Sequence, residues 1–366
     1  MVSPGSPARS SVGQRLHAAL RSNVSWRFLG VFVFVTFFWL SRQERSISQK
    51  VSVVDDEHYL FANHNPAQRC VDNDDPEEWK QSVQKVKCQC NDPHGANNRP
   101  NLPAWDLQHE RIVQEASRAA QASLHDDDSH LDLVMVGDSL IERWNGTRSM
   151  GRESLPEMNT VFDQFFVRVG QTRDDDSRIR TLTLGSSGDT STNLMWHMEH
   201  GLLPQTPGVA LQPAVWFIMI GTNDLGRTGC SKRTTLSGIL NVAQVIHDRQ
   251  GDGVPIILHG LLPRTDGSSS SSSDSLPLGR LWQNIMWINR ELKRFCSLHD
   301  EWIYMDASRL FLQKQQSSRD GTDTEGALEI NKALMPEGLH PNAQGYKAWG
   351  EEISKVVKQQ LAKQRR

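Results

Sequence analysis

Five short apolar runs, each leading into a stretch of helical periodicity, constrain this chain more than any other feature. The runs are Leu131–Val136, Thr181–Leu184, Val215–Ile220, Pro255–Leu258 and Trp302–Met305. Helical patterns cover about 107–124, 190–201, 232–249, 279–297 and 343–363. In the first, Ile112, Ala116, Ala119 and Ala120 share one face, and in the last so do Ile353, Val356, Val357 and Leu361. Strands that alternate with helices pair in parallel, because each crossover returns the chain to the same edge, and helices then cover both faces. Ligands of such sheets bind beyond the carboxyl ends of the strands. The residues that follow each run are therefore the ones to read for chemistry.

The first run, LDLVMV, enters Gly137-Asp138-Ser139-Leu140. Gly137 permits a tight turn, and a helix starting at Leu140 aims its positive end at Ser139. Taken alone, Asp138 or Ser139 is also what a plain helix cap requires. The second run ends at Gly185-Ser186-Ser187-Gly188-Asp189-Thr190, where glycines can turn a backbone N–H toward the same crevice and Asp189 or Thr190 can cap the next helix. The third run ends at Gly221-Thr222-Asn223-Asp224, and an Asn amide is a good donor to a developing oxyanion. Far along the chain, Glu337-Gly338-Leu339-His340-Pro341 precedes the last helix. Pro341 suits a first helical turn and fixes His340 just before it. A carboxylate three positions earlier is what an oriented general base needs.

Together the stretches VMVGDSL, GSSGDTSTNLMWHMEHG, VWFIMIGTND, ILHGLLPR and EGLHPNAQGY resemble the blocks of the SGNH/GDSL hydrolase superfamily. Within it the resemblance is to the catalytic subunits of platelet-activating-factor acetylhydrolase, and it covers about 130–360. It implies a three-layer α/β/α, flavodoxin-like fold with five parallel strands. It also implies a nucleophile at Ser139, a base at His340, and an oxyanion hole of Ser139 N–H, Gly188 N–H and the Asn223 amide, with Gly137 and Asp138 supporting. The family's acid position carries Asp; here it carries Glu337. The implied reaction is hydrolysis of an acyl ester, short-chain, acetyl or lipid, with no metal and no organic cofactor. A second function class uses the same Ser-His site to move acetyl groups onto glycans. A catalytically silent binding module on a stem is a third.

Ahead of this region, Phe28 to Leu40 is thirteen residues without a charge, preceded by Arg9, Arg15, Arg21 and Arg27 and followed by Asp55, Asp56 and Glu57. That length suits a signal-peptide core or a short span, and no small-residue cleavage site follows. The expected layout is a cytosolic tail over 1–25, a signal anchor over 26–41, a stem over 42–104 and a catalytic domain over 105–366. The arginine asymmetry places the catalytic domain in the lumen of the secretory pathway as a type II membrane protein; secretion after cleavage is the alternative. The anchor makes the membrane one partner, and the other is a small-molecule, lipid or glycan ester.

A net charge of −3 over 366 residues supplies no basic surface for nucleic acid. The five cysteines, Cys70, Cys88, Cys90, Cys230 and Cys296, contain no Cys-x-x-Cys pair, so zinc is not indicated. In a lumen, Cys70 is expected to staple the stem through Cys88 or Cys90, and an odd count leaves one thiol unpaired. Asn145-Gly146-Thr147 is a glycosylation sequon in that setting. Arg148 to Arg180 reads as a long connection whose Phe162, Phe165 and Phe166 suit core packing, with an acyl pocket as the alternative. Gly267 to Asp274, with six consecutive serines, is a loop.

Overall fold

Helices α1 (Pro103–His125), α2 (Ser139–Glu142), α3 (Pro156–Phe162), α4 (Ser191–His197), α5 (Thr222–Gly226), α6 (Lys232–Gln250), α7 (Trp282–Cys296) and α8 (Ala343–Gln364) surround one parallel sheet in a computed structural model. The sheet strands are β1 (Leu133–Gly137), β2 (Phe166–Arg168), β3 (Ile179–Gly185), β4 (Val215–Met219), β5 (Ile256–His259) and β6 (Trp302–Met305). The structure describes residues 68–70, 89–125, 130–172, 178–203, 211–265, 278, 281–315 and 328–365. The tail, the apolar run at 28–40 and the serine-rich loop lie outside the described residues. Among the described residues no helix is long and apolar enough to cross a membrane.

The strand order is β2-β3-β1-β4-β5-β6, and every pairing is parallel. The sheet therefore has six strands where the periodicity predicts five. The extra one is β2, a three-residue edge strand inside the connection read as a loop. Three residues are too few for a period-2 pattern to register, and tertiary pairing with β3 decides the matter. The other five keep the expected positions, with β1 at the centre between β3 and β4.

Side-chain alternation divides the core into two layers. Val134 and Val136 pack with Leu182, Leu184, Trp216 and Ile218 under residues of α1, α4, α6 and α7. Leu133 and Met135 pack with Phe217, Met219 and Ile257 under α3 and α8. Because both faces are covered, every residue of β1, β3 and β4 is buried; β1 and β4 are apolar throughout, while β3 also buries Arg180, Thr181 and Thr183. Phe162 and Phe166 belong to the second layer, edge-on or tilted against one another and Trp144, and they are fully buried. Core packing is their role here.

Helix starts follow ordinary capping chemistry. Thr190 caps α4 by accepting from Asn193 N–H, and the Asn193 side chain accepts in return from Thr190 N–H. Ser231 caps α6 and Asn342 caps α8 in the same manner. Residues 89–102, before α1, contain no helix or strand but are tied down. Cys90 forms a disulfide with Cys230, 140 residues away, and Asn97 N–H donates to Thr192 C=O at 2.9 Å. This pairing replaces the Cys70–Cys90 staple expected as one option, because the fold carries Cys90 to the start of α6. Cys70 is itself disulfide-bonded, Cys296 is a buried free thiol, and Cys88 lies outside the described residues.

Candidate active site

Ser139 sits where β1 stops and α2 begins. Gly137 faces the backbone of the adjacent strand so closely that a Cβ there would lie 2.1 Å from Met219 O, so only glycine lets the chain turn at this height. Asp138 is the N-cap of α2, accepting from Leu140 N–H at 2.9 Å. The capping residue and Ser139 are thus neighbours in one turn. The Ser139 and Gly188 N–H groups donate to no described backbone or side-chain acceptor. Both are available to an oxygen arriving above the turn.

His340 comes from the other end of the sequence. Its Nε2 lies 2.9 Å from Ser139 Oγ, across 201 residues of chain. Burial, with Arg143 beside it, lowers its pKa to about 4, while Glu337 opposes that fall. The ring is neutral at physiological pH, with Nε2 able to accept a proton. Glu337 Oε2 stands 3.5 Å from His340 Nδ1 and 4.0 Å from Arg143 Nη2, and its side chain is 61% exposed. The carboxylate is near enough to orient the ring electrostatically but too far for a short N–H···O bond.

The loop after β3 and the start of α5 complete the surroundings. Gly188 has φ +80, a left-handed conformation that glycine adopts without strain. The Asn223 amide donates to Asp138 Oδ2 at 3.2 Å and to Asp189 C=O at 2.9 Å. Asn223 is therefore brought to the Ser139 turn, with its two hydrogens engaged by neighbours of Ser139 and Gly188. Burial pushes the Asp138 carboxyl up to about 7, and Asp189 and Asp224 add to the effect.

Three further residues escaped the sequence reading. Glu142, at the end of α2, is buried and accepts from the backbone N–H groups of Gly151 (2.7 Å) and Ser187 (2.7 Å), and from the Ser187 hydroxyl. Its only signal was an acid in the otherwise apolar SLIE turn. Asp189 is fully buried and caps nothing; its carboxylate accepts from Trp105 Nε1 at 2.7 Å and faces His197 Nε2 at 2.9 Å. Arg99, from the segment before α1, donates to Ser187 C=O at 2.7 Å. No local pattern marks such long-range partners.

Asn145 lies half-buried, with Oδ1 accepting from Arg168 Nη1 at 2.6 Å. The one His/carboxylate group among the described residues that could hold a metal is His247, Asp252 and Glu301. It lies at the amino end of β6, away from Ser139, with His247 Nε2 2.7 Å from Glu301 Oε2.

Similarity to known proteins follows the same residues. Platelet-activating factor acetylhydrolase IB subunit alpha2 of Rattus norvegicus is 26% identical over 172 residues, 47% of this chain and 57% of that protein. Subunit alpha1 of Homo sapiens is 24% identical over 160 residues, 44% of this chain and 52% of that protein. The chain thus spans little more than half the length of the curated relatives it matches. Among solved structures, an acetyl-xylooligosaccharide esterase from Geobacillus Stearmophilus has a TM-score of 0.38 at 15% identity, covering 62% of this chain and 93% of that one. A member of the lipolytic protein G-D-S-L family from Veillonella parvula has a TM-score of 0.38 at 14% identity, covering 62% and 97%. The model of the GDSL-like lipase/acylhydrolase family matches residues 135–348, from inside β1 to inside α8, and the chain belongs to that family.

Proposed function

We propose that this acylhydrolase is a serine esterase in which Ser139 is the nucleophile and His340 its general base. The 2.9 Å approach of Ser139 Oγ to the Nε2 of a neutral His340 carries the reading. His340 takes the Ser139 proton as Oγ attacks the ester carbonyl, and returns it to the departing alcohol. Water then enters, gives a proton to His340 and releases the acid, restoring Ser139. The tetrahedral oxyanion is held by the N–H groups of Ser139 and Gly188. Asn223 joins them when its amide turns from Asp138 to the substrate oxygen. Each donor contributes about 3–4 kcal/mol to lowering the barrier. Glu337 holds the imidazolium that forms.

The substrate class we infer is a small acyl ester, short-chain or acetyl, with lipid esters next. The similarity to platelet-activating factor acetylhydrolase subunits supports it. A luminal setting, as a membrane-anchored or secreted protein, is part of the same reading. Its support is the Cys90–Cys230 disulfide, since such cross-links persist in oxidising compartments, together with the apolar run at 28–40.

The test is hydrolysis of p-nitrophenyl acetate by Ser139→Ala beside the parent. Loss of turnover with unchanged circular dichroism is expected. Turnover equal to the parent's would overturn the assignment.

A further inference from the structure

The family match begins at residue 135, yet the loop that carries Gly188 is held from outside it. Residues 89–105 cross the carboxyl end of the sheet and are anchored on both loops that flank Ser139. On the Asn223 side, Gln89 N–H donates to Thr228 C=O at 3.0 Å and Cys90 is bonded to Cys230. Between the loops, Asn193 Nδ2 donates to Asn97 C=O at 2.7 Å, and Asn97 N–H to Thr192 C=O. On the Gly188 side, Arg99 Nη1 donates to Ser187 C=O at 2.7 Å and approaches Asp189 Oδ1 at 3.4 Å. Trp105, fully buried, donates to that same Oδ1 at 2.7 Å.

Asp189 links these anchors to the chemistry. It follows Gly188 directly, and its backbone carbonyl takes one hydrogen of the Asn223 amide. Its carboxylate has no solvent and depends on Trp105, Arg99 and His197 for compensation. A buried carboxylate that loses a donor must move toward water or toward a new partner. Either movement carries Gly188 and Asn223 with it. On the other flank Glu142 grips Ser187, so Gly188 is suspended between a group inside the matched stretch and groups that include Arg99 and Trp105 ahead of it.

We propose that residues 89–105 are a clamp on the oxyanion donors, with Arg99 and Trp105 as positioning residues that act through Asp189. The proposal rests on the esterase reading above. Oxyanion donors act by being fixed before charge develops, and a displacement of about 1 Å can cost roughly 100-fold in rate. The clamp should therefore be read in kcat, not in substrate affinity.

The experiment uses the full chain and three variants, Trp105→Phe, Arg99→Met and Arg99→Lys. Trp105→Phe keeps an aromatic ring in place and removes the N–H. Turnover of p-nitrophenyl acetate is normalised to active sites titrated with a fluorophosphonate. Inhibition by a trifluoromethyl ketone, which forms an oxyanion on the serine, is measured alongside. We expect kcat per titrated site to fall at least tenfold in Trp105→Phe and Arg99→Met, with KM within twofold. Ki for the ketone should rise in proportion to the loss in kcat, and Arg99→Lys should recover part of both. Should Trp105→Phe fail to fold, Arg99→Met carries the same test from a partly exposed position. A kcat within twofold of the parent, or losses that appear only in the number of titratable sites, overturn the clamp. An active Ser139→Ala would instead overturn the esterase reading, so the two failures are distinct.

Discussion

Replacing Glu337 by Gln isolates what an exposed acid can do for His340. The charges face each other at 3.5 Å, Oε2 to Nδ1, once the ring is protonated during turnover. A unit pair about 4 Å apart is worth about 1 kcal/mol in water and about 4 kcal/mol at the effective dielectric of a protein surface. With the Glu337 side chain 61% exposed, the lower part of that range applies, about 1–2 kcal/mol. Since each 1.36 kcal/mol is a factor of ten, kcat/KM should fall by about 5- to 30-fold. A buried triad acid behaves differently: its conversion to an amide costs about 10⁴ in the chymotrypsin-type case. The sign of a second readout follows from the same geometry. Glu337 raises the pKa of His340 while burial and Arg143 lower it, so the variant should move the acid limb of the pH–rate profile downward. The assay is kcat/KM for p-nitrophenyl acetate from about one pH unit below the parent's acid limb up to pH 8. A loss below twofold would show that Glu337 does not orient the base, and a loss above 1000-fold would show that the carboxylate works desolvated. Either result refutes the exposed-pair argument.

The parent's own profile should show its acid limb at about pH 4, because a His340 whose pKa is lowered to about 4 must be deprotonated to act; a limb near 6.5 on a pH titration of kcat/KM would contradict this. The same lowered pKa adds stability that is present above pH 6.5 and is lost as pH falls through about 4, which urea titrations at several pH values would detect. Asn223→Ala should lower kcat by about 100- to 1000-fold with KM little changed, measured in steady-state kinetics. Gly137→Ala forces a Cβ to 2.1 Å from Met219 O and 2.7 Å from Ile141 Cγ1, and overpacking of this kind costs about 3 kcal/mol. Thermal melts should then show a Tm lower by about 6–12 °C.

The legible parts of this molecule are those written in short windows. The runs at β1, β3, β4, β5 and β6 are short and rich in apolar residues because both faces of the sheet are covered, and they were recovered within about two residues at each end. Ser139, Gly188, Asn223 and His340 lie at the element ends where the strand pattern puts them, each beside glycine, proline or a cap residue. Strand β2 was not, since Phe166, Val167 and Arg168 owe their conformation to pairing with Ile179, Arg180 and Thr181. Cys230 was not assigned to Cys90 for a related reason: a contact across 140 residues leaves no mark in the spacing of either cysteine. Glu142 carries no pattern of its own and Asp189 reads as a helix cap, and only burial and their partners distinguish them. What sequence misses here is the support of the site, contributed by residues remote in the chain and without a motif of their own.

The separation of Ser139 from His340 has a consequence for the protein during its synthesis. The serine follows the first strand of the sheet and the histidine precedes the last helix, 201 positions further on. Translation proceeds at about 5–20 residues per second, so roughly 10–40 seconds pass between the two residues. Throughout that interval the serine has no base beside it. On the proposed mechanism, a nascent chain that has not yet reached His340 carries a serine without its base. On that mechanism hydrolytic capacity arrives in one step, when the segment carrying His340 and α8 docks, and its appearance would be a direct clock for completion of the fold.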